Sequence, residues 1–262
     1  MKIEANGITI NVAISGNASG PVVMLSHALA TTLDLWWPQL AALEPHFRLL
    51  RYDTRGHGAS DAPAGAYSLE QMANDAVAVM DALAIETVHW VGISMGGMIG
   101  QALALNHAER LRSLVLCDTA AVVAPEAQPL WRQRIEKARA AGMAALAEET
   151  LQRWFTPPYL AENPPEVGRI REMILTTPVA GFRGCSEAIR RLDYIDRLGE
   201  IRLPTLIVVG EQDPGTPVAS SEAIHRRIAG SRLEIIPSAA HLCNVEQPQA
   251  FNRTLLEFLP TS

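Results

Sequence analysis

The stretch from Thr87 to Gln101 (Thr-Val-His-Trp-Val-Gly-Ile-Ser-Met-Gly-Gly-Met-Ile-Gly-Gln) limits the folds open to this chain more than any other. Val88, Trp90, Val91 and Ile93 make a strand-like apolar run, and Met95, Met98, Ile99, Ala102 and Leu103 recur at helical spacing. Ser94 falls between them, bracketed by Gly92 and Gly96 in a Gly-x-Ser-x-Gly pattern. A serine on a strained strand-to-helix turn needs small flanking residues, and its hydroxyl is presented rather than buried. It also lies where the free NH groups of a helix N-terminus favour a developing negative charge, as acyl transfer requires. The five-residue pattern alone recurs by chance in about one chain in ten of this length at ordinary Gly and Ser frequencies. The strand before it and the helix after it carry the reading, against a plain glycine-rich turn whose serine only caps the helix.

The rest of the chain alternates strands with helices. Lys2 to Glu4 and Ile8 to Ile14 flank Asn6-Gly7, a type I′ turn dipeptide, and read as an antiparallel hairpin. Pro21 to His27, Arg48 to Asp53, Thr87 to Ser94, Leu114 to Asp118, Thr205 to Gly210 and Leu233 to Ile236 read as further strands, mostly of the kind covered on both faces. Helical spacing is expected at Leu33 to Leu43, Ser68 to Leu83, Val218 to Arg227 and Pro248 to Phe258. The fold class is therefore α/β, a mostly parallel eight-stranded sheet with helices on both faces. From Val122 to Leu203 no strand is expected; helices are expected at Pro129 to Leu146, Ala147 to Trp154, Glu166 to Thr176 and Ser186 to Leu198, punctuated by Pro157-Pro158 and Pro164-Pro165. The division is a core of residues 1–121 and 204–262 and an inserted helical cap of residues 122–203, above the strand ends where open sheets bind ligands.

With 262 residues, 48% of them hydrophobic and 19% charged, and a formal net charge of −6, the chain can bury a large core and has no nucleic-acid-binding character. Its N-terminus has no apolar h-region and no apolar run could span a bilayer, so a cytoplasmic protein without membrane association is expected. Cys117, Cys185 and Cys243 lack metal-ligand spacing and are expected as small buried hydrophobes; neither a metal nor a cofactor is called for. Oligomeric state is open between monomer and homodimer.

A serine hydroxyl needs a base, and the base a group to orient it. In a strand-turn-helix architecture of this kind the chain order is Ser, then Asp or Glu, then His. His107 falls at the end of the helix after Ser94 and His225 on a solvated helix face, which leaves His241, after the last strand and the loop Pro237-Ser-Ala-Ala240. Asp213 ends a strand and enters Pro214-Gly-Thr-Pro217; Asp118, also at a strand end, is its rival. Two NH groups should face the developing oxyanion, from Met95 and from Leu29 in the loop Ser26-His-Ala-Leu-Ala30. His27 is expected to support that loop, and Asp53, Arg55 and His57 to lock the turn Tyr52-Asp-Thr-Arg-Gly-His-Gly-Ala-Ser60.

Together, Ser26 to Asp34, Tyr52 to Gly58, Gly92-Ile-Ser-Met-Gly-Gly97 and the Asp213 and His241 loops resemble the α/β-hydrolase superfamily over the whole chain. Within it, Leu116-Cys-Asp-Thr-Ala-Ala121, Trp131 with Arg134, Lys137 and Arg139 before Gly142-Met143, and Arg153-Trp-Phe-Thr156 are most similar to the 3-oxoadipate enol-lactonases. The resemblance implies a catalytic triad of Ser94, Asp213 and His241, an oxyanion hole from Leu29 and Met95, and a cofactor-free serine hydrolase acting on a small ester or lactone. Trp131, Arg134 and Trp154 are the candidate substrate contacts, Arg134 for a substrate carboxylate. Two departures stand out: Ala28 where many members have Gly, and Leu29-Ala30 where enol-lactonases have Leu-Gly. Alanine resists positive φ, so a differently shaped loop is expected. The alternatives are a general carboxylesterase or other lactonase with perhydrolysis as a side activity, and a small-molecule receptor that keeps the three residues.

Overall fold

In the computed structural model, which describes residues 1–260, Asn6 and Gly7 both take positive φ, 51° and 78°. That is the backbone of a two-residue hairpin turn, and it folds β1 (Lys2–Ala5) onto β2 (Ile8–Gly16) in antiparallel register. The remaining strands are β3 (Val22–Ser26), β4 (Arg48–Tyr52), β5 (Val88–Ile93), β6 (Leu111–Cys117), β7 (Thr205–Gly210) and β8 (Arg232–Ile236). They lie in the order β1-β2-β4-β3-β5-β6-β7-β8, antiparallel between β2 and β4 and parallel from β4 to β8. Every residue of β5 and β7 is buried, as strands covered on both faces should be.

Helices α1 (Trp37–Leu43), α2 (Leu69–Ala82) and α3 (Met95–Asn106) follow β3, β4 and β5. Five more, α4 (Gln128–Ala141), α5 (Ala144–Trp154), α6 (Pro157–Glu162), α7 (Pro165–Thr176) and α8 (Val179–Arg190), lie between β6 and β7; α9 (Val218–Arg227), α10 (Cys243–Glu246) and α11 (Pro248–Phe258) complete the chain. The Ser68 hydroxyl accepts the Gln71 NH at 3.0 Å and starts α2 as a capping serine should. One layer is built by α2 against α3, α3 against β5 and β6, and α9 against β7 and β8; α1 and α11 pack on each other. Trp36, Trp90, Phe47 and Phe251 are among the largest side chains wholly removed from water, each contributing on the order of 2–3 kcal/mol of burial. All three cysteines are free and buried. Among the described residues no helix is long and apolar enough to cross a membrane.

Four expectations from the sequence are corrected. Leu33 to Leu43 divides into a 3-10 turn, Leu33–Trp36, and then α1, because Pro38 in the first turn has no NH to continue a single helix. Pro129 to Leu146 is broken at Gly142, whose φ of 73° ends α4 and lets α5 start afresh. Pro157 and Pro158 do mark a break after α5, but they also open a short helix that was not expected, α6, in whose first turn a missing NH costs nothing. The last helix of the insertion is Val179–Arg190, not Ser186 to Leu198. Beyond it the chain turns back: Val122 bridges Asp193, the Tyr194 NH reaches Ala121 O at 2.7 Å and the Val123 NH reaches Leu192 O at 3.0 Å. Entry to and exit from the helical segment are thus laced together.

Parallel register places Ser26 beside Gly92, Gly92 beside Leu116, Leu116 beside Ile207 and Gly210 beside Ile236. The loops leaving β3, β5, β6, β7 and β8 consequently emerge along one edge, the edge that carries Leu29, Ser94, Asp118, Asp213 and His241.

Candidate active site

Ser94 has φ 54° and ψ −114°, a conformation that costs a non-glycine residue on the order of 1–3 kcal/mol. What holds it is close packing on both sides. A Cβ on Gly92 would stand 2.1 Å from Gly96 O, and a Cβ on Gly96 would stand 2.1 Å from Ser26 O, so neither position admits a side chain. The Ser94 NH donates to Cys117 O at 2.8 Å, the Thr119 hydroxyl donates to Ser94 O at 2.8 Å, and the indole NH of Trp90 donates to Gly96 O at 3.1 Å. The turn is pinned from β6 and from below, and the Ser94 hydroxyl projects into a cavity.

His241 stands on the loop after β8 with Nε2 2.9 Å from Ser94 Oγ and Nδ1 2.7 Å from Asp213 Oδ2. Asp213 is held in turn by the Gly215 NH (2.7 Å) and Thr216 NH (3.0 Å) on Oδ1 and by the Thr216 hydroxyl (2.6 Å) on Oδ2. Burial works to raise the Asp213 carboxyl, but the facing imidazole and these donors outweigh it and hold the carboxyl at about 2. Burial likewise works to lower His241, and the Asp213 charge and hydrogen bond prevail, so the ring sits above its ordinary value. Thr216 and Thr119 had no signal in the sequence, beyond the turn character of Pro214-Gly215-Thr216-Pro217.

Asp118, the rival acid, does not orient the imidazole. Its Oδ1 accepts the Gly210 NH at 2.7 Å, its Oδ2 has no partner among the described residues, and Nδ1 of His241 is already engaged by Asp213. Complete burial, with the Asp213 charge second, pushes its carboxyl up to about 8. It is a neutral acid beneath an ionised one. His107 and His225 lie where expected, at the end of α3 and exposed on α9.

The loop carrying Leu29 is fixed by two neutral imidazoles. His27 faces Ala28 O through Nδ1 (2.8 Å) and accepts the Thr54 NH at Nε2 (3.0 Å); His57 accepts the Ala30 NH at Nε2 (2.9 Å). Burial lowers them to about 4 and about 3. Ala30 takes φ 60°, the strain expected of alanine in this loop, and its hydrogen bond to His57 holds it there. Asp53 accepts the Leu33 and Ala59 NH groups, and Arg55 is paired with Asp75 in the interior. Among the described residues, neither the Leu29 NH nor the Met95 NH donates to a protein acceptor.

Above these groups lies a cavity of about 340 Å³. Leu29, Met98, Trp131, Ile189, Pro214 and the ring of Trp154 line it together with Ser94, His241, Arg134 and Arg153. Trp154 stacks over His241, ring centroids 6.2 Å apart and planes 26° from parallel. The Arg134 guanidinium lies 5.0 Å from the Trp131 ring and 5.8 Å from that of Phe182. Only 9% of Arg134 is exposed, and its Nε has no partner among the described residues. Burial, then repulsion from Arg153, lowers it to about 9, which leaves it charged at neutral pH. A hydroxyl, an imidazole and a carboxylate in this sequence of contacts can move a proton off the hydroxyl, beside a pocket with buried positive charge.

A family profile for the alpha/beta hydrolase fold matches residues 21–248. The chain is 36% identical over 253 residues to 3-oxoadipate enol-lactonase 2 of Acinetobacter baylyi, covering 97% of this chain and 94% of that one. A crystal structure of the enol-lactonase from Burkholderia xenovorans superposes with a TM-score of 0.95 at 39% identity, covering 98% of this chain and 99% of the other. A thermophilic esterase from Thermogutta terrifontis, solved with malate bound, gives 0.92 at 31% identity over 98% and 97% of the two chains.

Proposed function

The chain belongs to the alpha/beta hydrolase fold family, and on that premise we propose that it cleaves a small lactone or carboxylic ester through an acyl-serine, with an enol-lactone bearing a carboxylate as the favoured substrate. The observation that carries this reading is the run of contacts from Ser94 Oγ through His241 to Asp213, 2.9 Å and 2.7 Å long. Ser94 Oγ attacks the carbonyl carbon while His241 Nε2 takes its proton. The tetrahedral oxyanion is met by the NH groups of Leu29 and Met95. The carbon–oxygen bond of the ring then breaks, His241 returns the proton to the departing oxygen, and the acyl group stays on Ser94. In an enol-lactone that oxygen leaves as an enol, which tautomerises to a ketone and draws the step forward. Water, deprotonated by His241, releases the acid.

Arg134 supports the substrate preference. It is a buried guanidinium in the cavity wall, flanked by Trp131, with hydrogen-bonding capacity left over, and such a group grips a carboxylate with two bonds. Trp154, stacked over His241, lines the same cavity. Comparing a carboxylated with an uncharged lactone on Arg134→Ala tests this: the carboxylated substrate should lose roughly a hundredfold more kcat/KM than the neutral one, and equal losses would exclude the role. Ser94→Ala should abolish hydrolysis of both.

A further inference from the structure

His241 is flanked in the chain by Ala240 and Leu242, and both neighbours are tied to one short segment, residues 154–156, at the end of α5. The Leu242 NH donates directly to Trp154 O at 3.1 Å. The Ala240 tie runs through a carboxylate: Glu246 Oε2 accepts the Ala240 NH at 2.9 Å, while Oε1 accepts the Thr156 NH at 3.1 Å and the Thr156 hydroxyl. Glu246 is buried and belongs to α10, which is anchored from the other side by Gln39: its NH2 group donates to the backbone carbonyl of Asn244 at 2.9 Å, and its Oε1 accepts the Asn244 side-chain NH2 at 3.1 Å. Among the described residues its hydrogen-bond partners are neutral donors, which compensate its burial. A carboxylate with that many donors is an expensive way to fill space, and it lies where residues 154–156 meet the chain on both sides of the histidine.

We propose that Glu246 is a positioning residue: a buried carboxylate that clamps residues 154–156 to the histidine loop, so that Trp154 lies over the imidazole and the ring is held in line between Ser94 and Asp213. The inference rests on the reading of His241 as the base. An amide at this position has one acceptor oxygen. In Glu246→Gln an amide oxygen in the Oε2 place keeps the Ala240 NH but only the longer, 3.4 Å contact with the Thr156 NH, and in the Oε1 place it loses the Ala240 NH, since the NH2 group can only donate. Thr156→Val removes one donor from the far side of the clamp and leaves Ala240 untouched.

The stacked indole provides the readout. Trp154 fluorescence should carry a component that titrates with His241, because an imidazolium held against the ring quenches it; Trp154→Phe identifies that component by its loss. In Glu246→Gln its amplitude should fall by about half or more, and kcat should fall roughly tenfold with KM moved less than about threefold, the mark of a displaced imidazole rather than a reshaped pocket. Thr156→Val should move both quantities the same way by a smaller factor, and it decides the matter if the glutamine variant does not fold. A folded Glu246→Gln, or failing it Thr156→Val, with wild-type titration and wild-type kcat would overturn the clamp, as would a loss confined to KM. Ser94→Ala run alongside separates the two failures: if it stays active, the reading of the site falls; if it is dead while Glu246→Gln behaves as wild type, only the clamp falls.

Discussion

Asp213→Asn removes one charge, keeps the size of the side chain, and has a consequence that follows from the donors around it. Oδ1 accepts two backbone NH groups, Gly215 at 2.7 Å and Thr216 at 3.0 Å, so the amide oxygen of the asparagine must take that place. Its NH2 group then falls where Oδ2 stood, facing the Thr216 hydroxyl and His241 Nδ1. The hydroxyl can turn and accept. The imidazole can accept at Nδ1 only by carrying its proton on Nε2, and that nitrogen then donates to Ser94 instead of taking its proton. Loss of the correct tautomer together with the countercharge should lower kcat by about 10³–10⁴, equivalent to about 4–5.5 kcal/mol of transition-state stabilisation. The assay is kcat/KM for an activated ester across the pH range, with circular dichroism to establish that the variant is folded. A fall smaller than about tenfold would refute the reasoning and hand the orienting role to Asp118.

Two further outcomes concern pH. The imidazole of His241 is held above its ordinary 6.5 and must shed its proton to act, so kcat/KM should rise with pH through a midpoint above 6.5; a pH–rate profile with its acid limb below 6.5 would contradict the pairing with Asp213. The stability this imidazolium contributes is fully present below 6.5 and disappears as pH rises through the folded value. Asp118 works in the opposite sense to a paired carboxylate: it is neutral in the fold up to about 8, against 3.8 when unfolded, so folding binds a proton and stability declines as pH rises between those values. Asp118→Asn can keep the acceptor for the Gly210 NH without that penalty, and thermal melts should show it more stable than wild type by several degrees, roughly 4 °C or more near pH 7.5, with the advantage shrinking toward pH 5. No gain at either pH would mean that Asp118 is ionised in the fold.

Much of this architecture is written in local features. Asn6-Gly7 specifies its hairpin, the continuous apolar runs of β5 and β7 specify strands covered on both faces, and Gly92 and Gly96 are required by backbone approaches of 2.1 Å. Because the parallel strands share one C-terminal edge, Ser94, Asp213 and His241, far apart along the chain, come to one place. The helical segment was less legible. Helix α8 contains Gly181 and Gly184, which weaken its helical signal, yet a Cβ on Gly181 would stand 1.9 Å from Gly56 O and one on Gly184 2.7 Å from the Tyr67 ring; tight packing on the Arg55-to-Gly58 turn demands residues that propensity disfavours. Glu246 was invisible for a different reason. Its partners Thr156 and Ala240 lie on separate elements, the first 90 residues away, and no local pattern announces such a junction. The same holds for Asp118 and Asp213, two strand-end carboxylates alike in sequence, divided only by which one the folded loop brings to Nδ1.

In the proposed mechanism Ser94 Oγ is the atom that becomes acylated. Rapid quenching of the enzyme during turnover of an activated ester, followed by peptide mass spectrometry, measures this directly. The expected result is a single acyl adduct on the peptide that contains Ser94, formed in a burst and lost with water, and absent from Ser94→Ala. Turnover at the wild-type rate by Ser94→Ala, or an adduct located on any other residue, would contradict it.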